Sequence, residues 1–190
     1  MQIDAHGWLE GGGRCVRSPH CDDRPEMDVD LVVVHHISLP PGCYGGPEIE
    51  ALFCGQLDCA QHPALADLSG LRVSSHFLIR RTGELVQFVS VHDRAWHAGV
   101  SEFHGRPRCN DFSVGIELEG SDRDAFEPIQ YDTLLAVCVA LKAANPHLAW
   151  IAGHSDIAPG RKTDPGPHFD WGRVMGMMAD RNLPLQRPFR

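Results

Sequence analysis

The stretch Leu31-Val32-Val33-Val34-His35-His36-Ile37-Ser38-Leu39-Pro40-Pro41-Gly42 decides the architecture. Its first four residues are aliphatic, and three of them are β-branched. A run with no polar face reads as a strand buried on both sides, as found inside parallel or mixed sheets. The two prolines and Gly42 then force a turn. His35 and His36 therefore stand at the carboxyl end of the most buried strand, where α/β sheets open into loops and present functional side chains. Neighbours on a strand point to opposite faces, so at most one of the two enters a given cleft. The plain structural alternative is a histidine that merely caps the strand.

Reading outward, residues 74–81 and 84–90 are strand-like runs joined by Thr82-Gly83, a hairpin signal. Residues 112–119 alternate, with Val114, Ile116 and Leu118 on one face and Gly115, Glu117 and Glu119 on the other. The spacing predicts a short helix over 48–53 and an amphipathic helix over 130–145, built on Tyr131, Leu134, Leu135, Cys138, Val139 and Leu141. Asn145-Pro146 stops it. A last helix is expected over 170–181, and a short strand over 150–153. Residues 55–70 read as loop with one helical turn. Strands and helices intermix, so the expected fold is α/β, a single domain with a mixed central β-sheet flanked by helices. Residues 1–28 read as an irregular arm packed on a domain of residues 29–182, and 183–190 as a C-terminal tail.

The chain has 190 residues, 43% apolar and 22% charged, which suits one globular domain. A net charge of -8 speaks against a broad basic surface for nucleic acid. No apolar run is long enough to span a membrane, and the first residues do not resemble a signal peptide. Seven cysteines, odd in number and without a C-x-x-C pair, argue for reduced thiols and a cytoplasmic location. A monomer is expected. Of the 12 histidines, His6, His20, His62, His104 and His147 lie in polar or Gly/Pro-rich contexts and read as surface residues.

Two further segments carry candidate chemistry. GHSDIAPGRKTDPG (153–166) follows a strand and clusters His154, Asp156, Lys162 and Asp164 in a loop whose ordering costs entropy that packing does not explain. Lys162 is one of only two lysines, the other being Lys142. In FSVGIELEG (112–120), Glu117 sits mid-strand, where burial and a nearby cation can tune its pKa for general-base work. Glu119 reads as the wet side of the same strand. Together His35, His154 and Asp164 offer two imidazoles and a carboxylate, a set that leaves an open position on zinc. The same set suits non-haem Fe(II), but the added Glu117 and Lys162 favour hydrolysis, as proton acceptor and oxyanion partner. His36, His76 and His97 are rival ligands.

The segments at 31–42, 71–89, 94–99 (RAWHAG), 108–120 and 153–171 together resemble the zinc-dependent N-acetylmuramoyl-L-alanine amidases, most of all the cytoplasmic 1,6-anhydro-N-acetylmuramyl-L-alanine amidase (AmpD) type. The resemblance runs from about Gly7 to Trp171. It implies a fold shared with the peptidoglycan recognition proteins, zinc on His35, His154 and Asp164, catalytic Glu117 and the motif lysine Lys162. It also implies hydrolysis of the amide between anhydro-N-acetylmuramic acid and L-Ala in muropeptides during cell-wall recycling. One departure is His36, where members of this type usually carry Asn, which bears on how the stem peptide is held. Arg72 and Arg108 each open a matching segment and are expected to hold the stem carboxylates, since a guanidinium binds a carboxylate bidentately. Trp96 is expected to pack against the anhydro sugar, with His97 beside it on the cleft wall. The competing expectation is a peptidoglycan-fragment-binding protein of this fold without catalysis, which loss of a ligand residue would mark.

Overall fold

The computed structural model describes residues 1–25 and 28–188. The N-terminal arm carries four short strands, β1 (Gln2–Ile3), β2 (Leu9–Glu10), β3 (Arg14–Cys15) and β4 (Cys21–Asp23). The apolar run forms β5 (Leu31–Ile37), followed by helix α1 (Glu48–Phe53) and two 3₁₀ turns at Cys59–Gln61 and Pro63–Leu68. Next come β6 (Phe77–Ile79), β7 (Leu85–Gln87), β8 (Asp93–Ala95), β9 (Glu102–Phe103), β10 (Arg106–Pro107) and β11 (Ser113–Glu119). Helix α2 (Pro128–Ala144), β12 (Trp150–Gly153), the single turn α3 (His154–Ile157) and α4 (Trp171–Asp180) follow.

Six strands make the central sheet in the order β12-β5-β11-β6-β7-β3. The β6–β7 hairpin is antiparallel and the other neighbours are parallel, so the sheet is mixed, as expected. Gly83 turns the hairpin with a φ of 83°, a conformation that costs glycine nothing. On one face Val32, Val34, Val114, Ile116 and Leu118 pack against Tyr131, Leu134, Cys138 and Leu141 of α2 and Val174 and Met178 of α4. Gln130 starts α2 by accepting the Glu127 N–H at 2.9 Å. Val139 lies off this stripe and is 42% exposed. The opposite face divides into two smaller clusters, one around α1 with Leu78, Val86 and Phe88, the other around Phe103, Phe112 and Ile157 with Leu31 and Val33. The carboxyl ends of β5 and β11 open on this divided face.

Several expectations need correction. The arm is not irregular: β3 pairs with β7 as the sheet's edge strand, and Gln87 ties the arm down by accepting from Leu9 N–H (2.7 Å) and donating to the Gly7 carbonyl (2.8 Å). At the other end Leu183 and Leu185 are buried in the main core, and Gln186 bridges to Trp150; residues 26–27 and 189–190, which the expected arm and tail include, lie outside the described residues. His20 is 5% exposed, its Nδ1 on the Val73 carbonyl and its ring parallel to Trp96.

Glu119 is corrected as well: it is 1% exposed instead of solvated. It accepts from Arg80 at 3.0 Å, from the Gly45 N–H at 2.6 Å and from the Arg81 N–H at 3.1 Å. Arg80 also reaches Glu50 of α1 at 2.6 Å. Alternation reports which face a residue occupies, and a buried face tolerates a carboxylate whose two oxygens are both answered. Removing one partner of such a pair typically costs about 3–5 kcal/mol, because the other charge is stranded. Glu119→Ala is therefore expected to lower the unfolding free energy by about that amount in urea titrations. A loss under about 1 kcal/mol would mean that Glu50 alone satisfies Arg80.

Candidate metal centre

In the register of β5 and β11, His35 is the neighbour of Glu117. Register partners on adjacent parallel strands leave the sheet on the same side, so the imidazole and the carboxyl enter one space. His154 arrives from the next strand over: β12 pairs Gly153 with Val34 and ends there, and α3 begins with His154. Asp164 returns along the Gly/Pro-rich loop, held where Ser155 N–H donates to the Asp164 carbonyl at 2.9 Å. The metal-ligating atoms of His35, His154 and Asp164 all fall within 4.8 Å of one another.

The geometry assigns the protons. His154 Nε2 lies 3.0 Å from the Ala98 carbonyl, which can only accept, so the proton is on Nε2 and the Nδ1 lone pair is free. His35 Nε2 lies 2.9 Å from His97 Nδ1, and His35 Nδ1 lies 3.0 Å from both His154 Nδ1 and Asp164 Oδ2. His154 Nδ1 is also 3.0 Å from Asp164 Oδ2. Two imidazole nitrogens and a carboxylate oxygen thus converge with their acceptor sides together. Burial keeps His35 neutral, pushing its pKa down to about 4. Burial raises Asp164, but the two imidazoles outweigh it and hold this carboxyl well below the ordinary carboxylate range. Three acceptor atoms that converge in this way fit a divalent cation.

Glu117 stands beside this cluster, 9% exposed, with its Oε2 lacking any hydrogen-bond partner. Burial, then the Asp164 charge, raise its pKa well above the ordinary value, and Lys162 offsets part of that. The cavity here is about 410 Å³ and is lined among others by His35, Glu117, His154, Lys162 and Asp164.

Of the residues expected to hold substrate, Trp96, His97 and His36 line this cavity. Trp96 already carries Arg72 at 5.7 Å from its ring centre and His20 parallel to it at 6.0 Å. His36 points to the other face, where it pairs with Asp122 at 3.1 Å and also lines a neighbouring cleft of about 430 Å³. Neither Arg72 nor Arg108 lines the cavity; Arg72 is at its rim over Trp96, and Arg108 is exposed and paired with Asp111 at 3.0 Å. Arg161 does line it, holding the Ala98 and Val100 carbonyls at 2.6 Å and 2.7 Å, and sequence reading missed it. Its signal was its place next to Lys162. His76 is outside the cluster, and its Nδ1 is occupied in accepting the Gly115 N–H at 3.0 Å.

A model of the family described as N-acetylmuramoyl-L-alanine amidase matches residues 25–167. The 1,6-anhydro-N-acetylmuramyl-L-alanine amidase AmpD of Escherichia coli (strain K12) is 58% identical over 175 residues, which is 91% of this chain and 95% of that protein. The crystal structure of a Se-Met AmpD derivative is 55% identical, covers 93% of this chain and 99% of its own, and superposes with a TM-score of 0.90. A complex of the amidase AmiD from E. coli with anhydro-N-acetylmuramic acid-L-Ala-D-gamma-Glu-L-Lys is 30% identical, covers 78% of this chain and 56% of its own, with a TM-score of 0.57.

The raised Glu117 makes a test of the buried site that needs no substrate. An unfolded glutamate titrates at about 4.3. Between that value and its higher folded value, the metal-free native state holds the extra proton, so stability falls as pH rises through the window. Glu117→Gln removes the dependence. In the presence of chelator the variant is expected to melt above wild type at neutral pH, with the gap closing below about pH 4. A gap that widens on acidification would mean that Glu117 is ionised in the native state throughout.

Proposed function

The chain belongs to the N-acetylmuramoyl-L-alanine amidase family, and from that premise we propose that it hydrolyses the amide between 1,6-anhydro-N-acetylmuramic acid and L-Ala in muropeptides, with zinc on His35, His154 and Asp164. The convergence of His35 Nδ1, His154 Nδ1 and Asp164 Oδ2 beside the partnerless Glu117 Oε2 carries this reading. AmpD, the relative most alike over its full length among those described above, is named for this bond, and AmiD was crystallised with a substrate of this class. When bound, zinc supplies Lewis acidity that acidifies water and polarises a carbonyl.

The protein's own groups do the rest. Glu117 takes a proton from the attacking water at Oε2, the water oxygen bonds to the lactyl carbonyl carbon, and Glu117 returns that proton to the departing L-Ala nitrogen as the C–N bond breaks. A cation held by His35, His154 and Asp164 would offset the burial and the Asp164 charge that raise the Glu117 carboxyl, leaving it able to accept. Lys162, from the cavity wall, donates to the oxyanion of the tetrahedral adduct. Arg161 braces residues 98–100, on which His154 leans. Arg72 and Arg108 sit outside the cavity, where stem carboxylates would emerge, and Trp96 walls the sugar side. The seven free cysteines support a cytoplasmic setting, and no helix among the described residues is long and apolar enough to cross a membrane.

Mass spectrometry of anhydromuropeptides mixed with the zinc-loaded protein is expected to show anhydro-N-acetylmuramic acid and the free stem peptide. Intact substrate, bound but uncleaved, would make the protein a binding module instead. His154→Ala is expected to lose tight zinc by elemental analysis, and Glu117→Gln to lose about 10²–10⁴-fold in kcat with zinc retained. Truncating Arg72 or Arg108 is expected to raise KM for tripeptide-bearing substrates far more than for the L-Ala derivative. Equal effects on both would show that these arginines shape the cleft without reading the stem.

A further inference from the structure

His97 lies against His35, and both of its ring nitrogens are used by the protein itself. Its Nδ1 is 2.9 Å from His35 Nε2, and its Nε2 is 3.3 Å from Ser113 Oγ. Ser113 Oγ in turn donates to the Cys109 carbonyl at 2.5 Å. That carbonyl has no proton to give, so the direction of the whole series is set from its far end. Ser113 spends its only proton on Cys109 and accepts from His97 Nε2–H. His97 Nδ1 is then a lone pair that accepts His35 Nε2–H, which leaves His35 Nδ1 bare towards Asp164.

The ring's position is built as carefully as its protons. Gly115 sits directly beneath it in β11, and a Cβ there would lie 2.5 Å from His97 Cγ and 2.7 Å from its Nδ1. Any side chain at 115 would push the imidazole off His35. Both main-chain groups of Gly115 are held by His76, whose Nδ1 accepts the N–H at 3.0 Å and whose N–H donates to the carbonyl at 3.2 Å. His97 is anchored at its own end too, since Asn110 Oδ1 accepts from the N–H groups of His97 (3.2 Å) and Ala98 (2.8 Å).

We infer that His97, oriented by Ser113 and seated on Gly115, is a positioning residue that fixes the tautomer of His35 and so the metal affinity of the centre. It is not a substrate contact through its polar atoms, contrary to the expectation from its place in RAWHAG. The inference rests on the metal-centre reading above. A metal-ligating histidine whose other nitrogen loses its partner typically binds about 10–100-fold more weakly.

The test uses full-length protein in three variants, with zinc affinity from chelator competition and histidine tautomers from long-range ¹H–¹⁵N NMR of the metal-free form. Wild type is expected to show His35 protonated at Nε2. His97→Phe keeps a ring but offers no acceptor, and is expected to weaken zinc by about 10–100-fold and to give His35 mixed tautomers. His97→Gln offers an amide oxygen to His35 and an amide N–H to Ser113, and is expected to recover part of the affinity. Ser113→Ala leaves His35 untouched, frees the direction of the series, and carries the test alone if His97→Phe does not fold. His35 protonated at Nδ1 in wild type, or unchanged tautomer and affinity in His97→Phe or Ser113→Ala, overturns the inference. Failure of wild type to bind zinc at all would instead overturn the metal reading, and the tautomer of His35 would still decide this one.

Discussion

Seven residues of β5 pair with seven of β11 in a single parallel register, and the rest of the molecule is arranged around that pairing. Each strand is buried along its length except where β5 reaches His36 and Ile37. Because side chains alternate, a slip of one residue would exchange the two faces of the sheet. Val32 and Val34 would leave the helices, and His35 would turn away from Glu117. The apolar packing against α2 therefore holds the register, and the register holds imidazole and carboxyl side by side. Stability and chemistry draw on the same constraint.

Much of this was legible because strand period and turn residues are local signals. The run at 31–34, the alternation at 112–119 and the stops at Pro40-Pro41 and Asn145-Pro146 place the elements within a residue or two. That His35, His154 and Asp164 would meet followed from two strand ends and one loop. What escaped was set by distant partners. Glu119 looks solvent-facing until Arg80, from another strand, is brought to it. His20 looks like a surface residue until Trp96 lies parallel to it. The arm's strands are two or three residues long, too short for periodicity to show, and exist because an edge of the sheet is there to receive one of them. Arg161 was hidden by its neighbour, since Lys162 drew the attention that the loop offered. Its guanidinium holds carbonyls about sixty residues earlier in the chain, a distance no motif encodes.

Charge is distributed against the average. A chain of net charge -8 surrounds its cavity with Arg161 and Lys162 and sets Arg72 at the rim, while the acidic groups inside are Asp164 and Glu117. The two carboxyls are treated differently by the same burial. Asp164 has two imidazoles as neighbours and stays ionised; Glu117 has an unanswered oxygen and prefers its proton. Divergent environments for paired carboxyls are the usual physical basis for giving one a structural duty and the other a proton-transfer duty.

Both imidazoles of the centre owe their orientation to main-chain carbonyls, at Ala98 for His154 and at Cys109, through two side chains, for His35. Every residue has such a carbonyl, so the amino acids at 98 and 109 are free to drift as far as packing allows while the proton pattern stays intact. The burden of heredity falls elsewhere. Ser113 supplies the hydroxyl and Gly115 the vacancy, and for these no other amino acid gives the same combination of size and proton. A lineage can therefore rewrite the ends of this arrangement long before it can touch the middle.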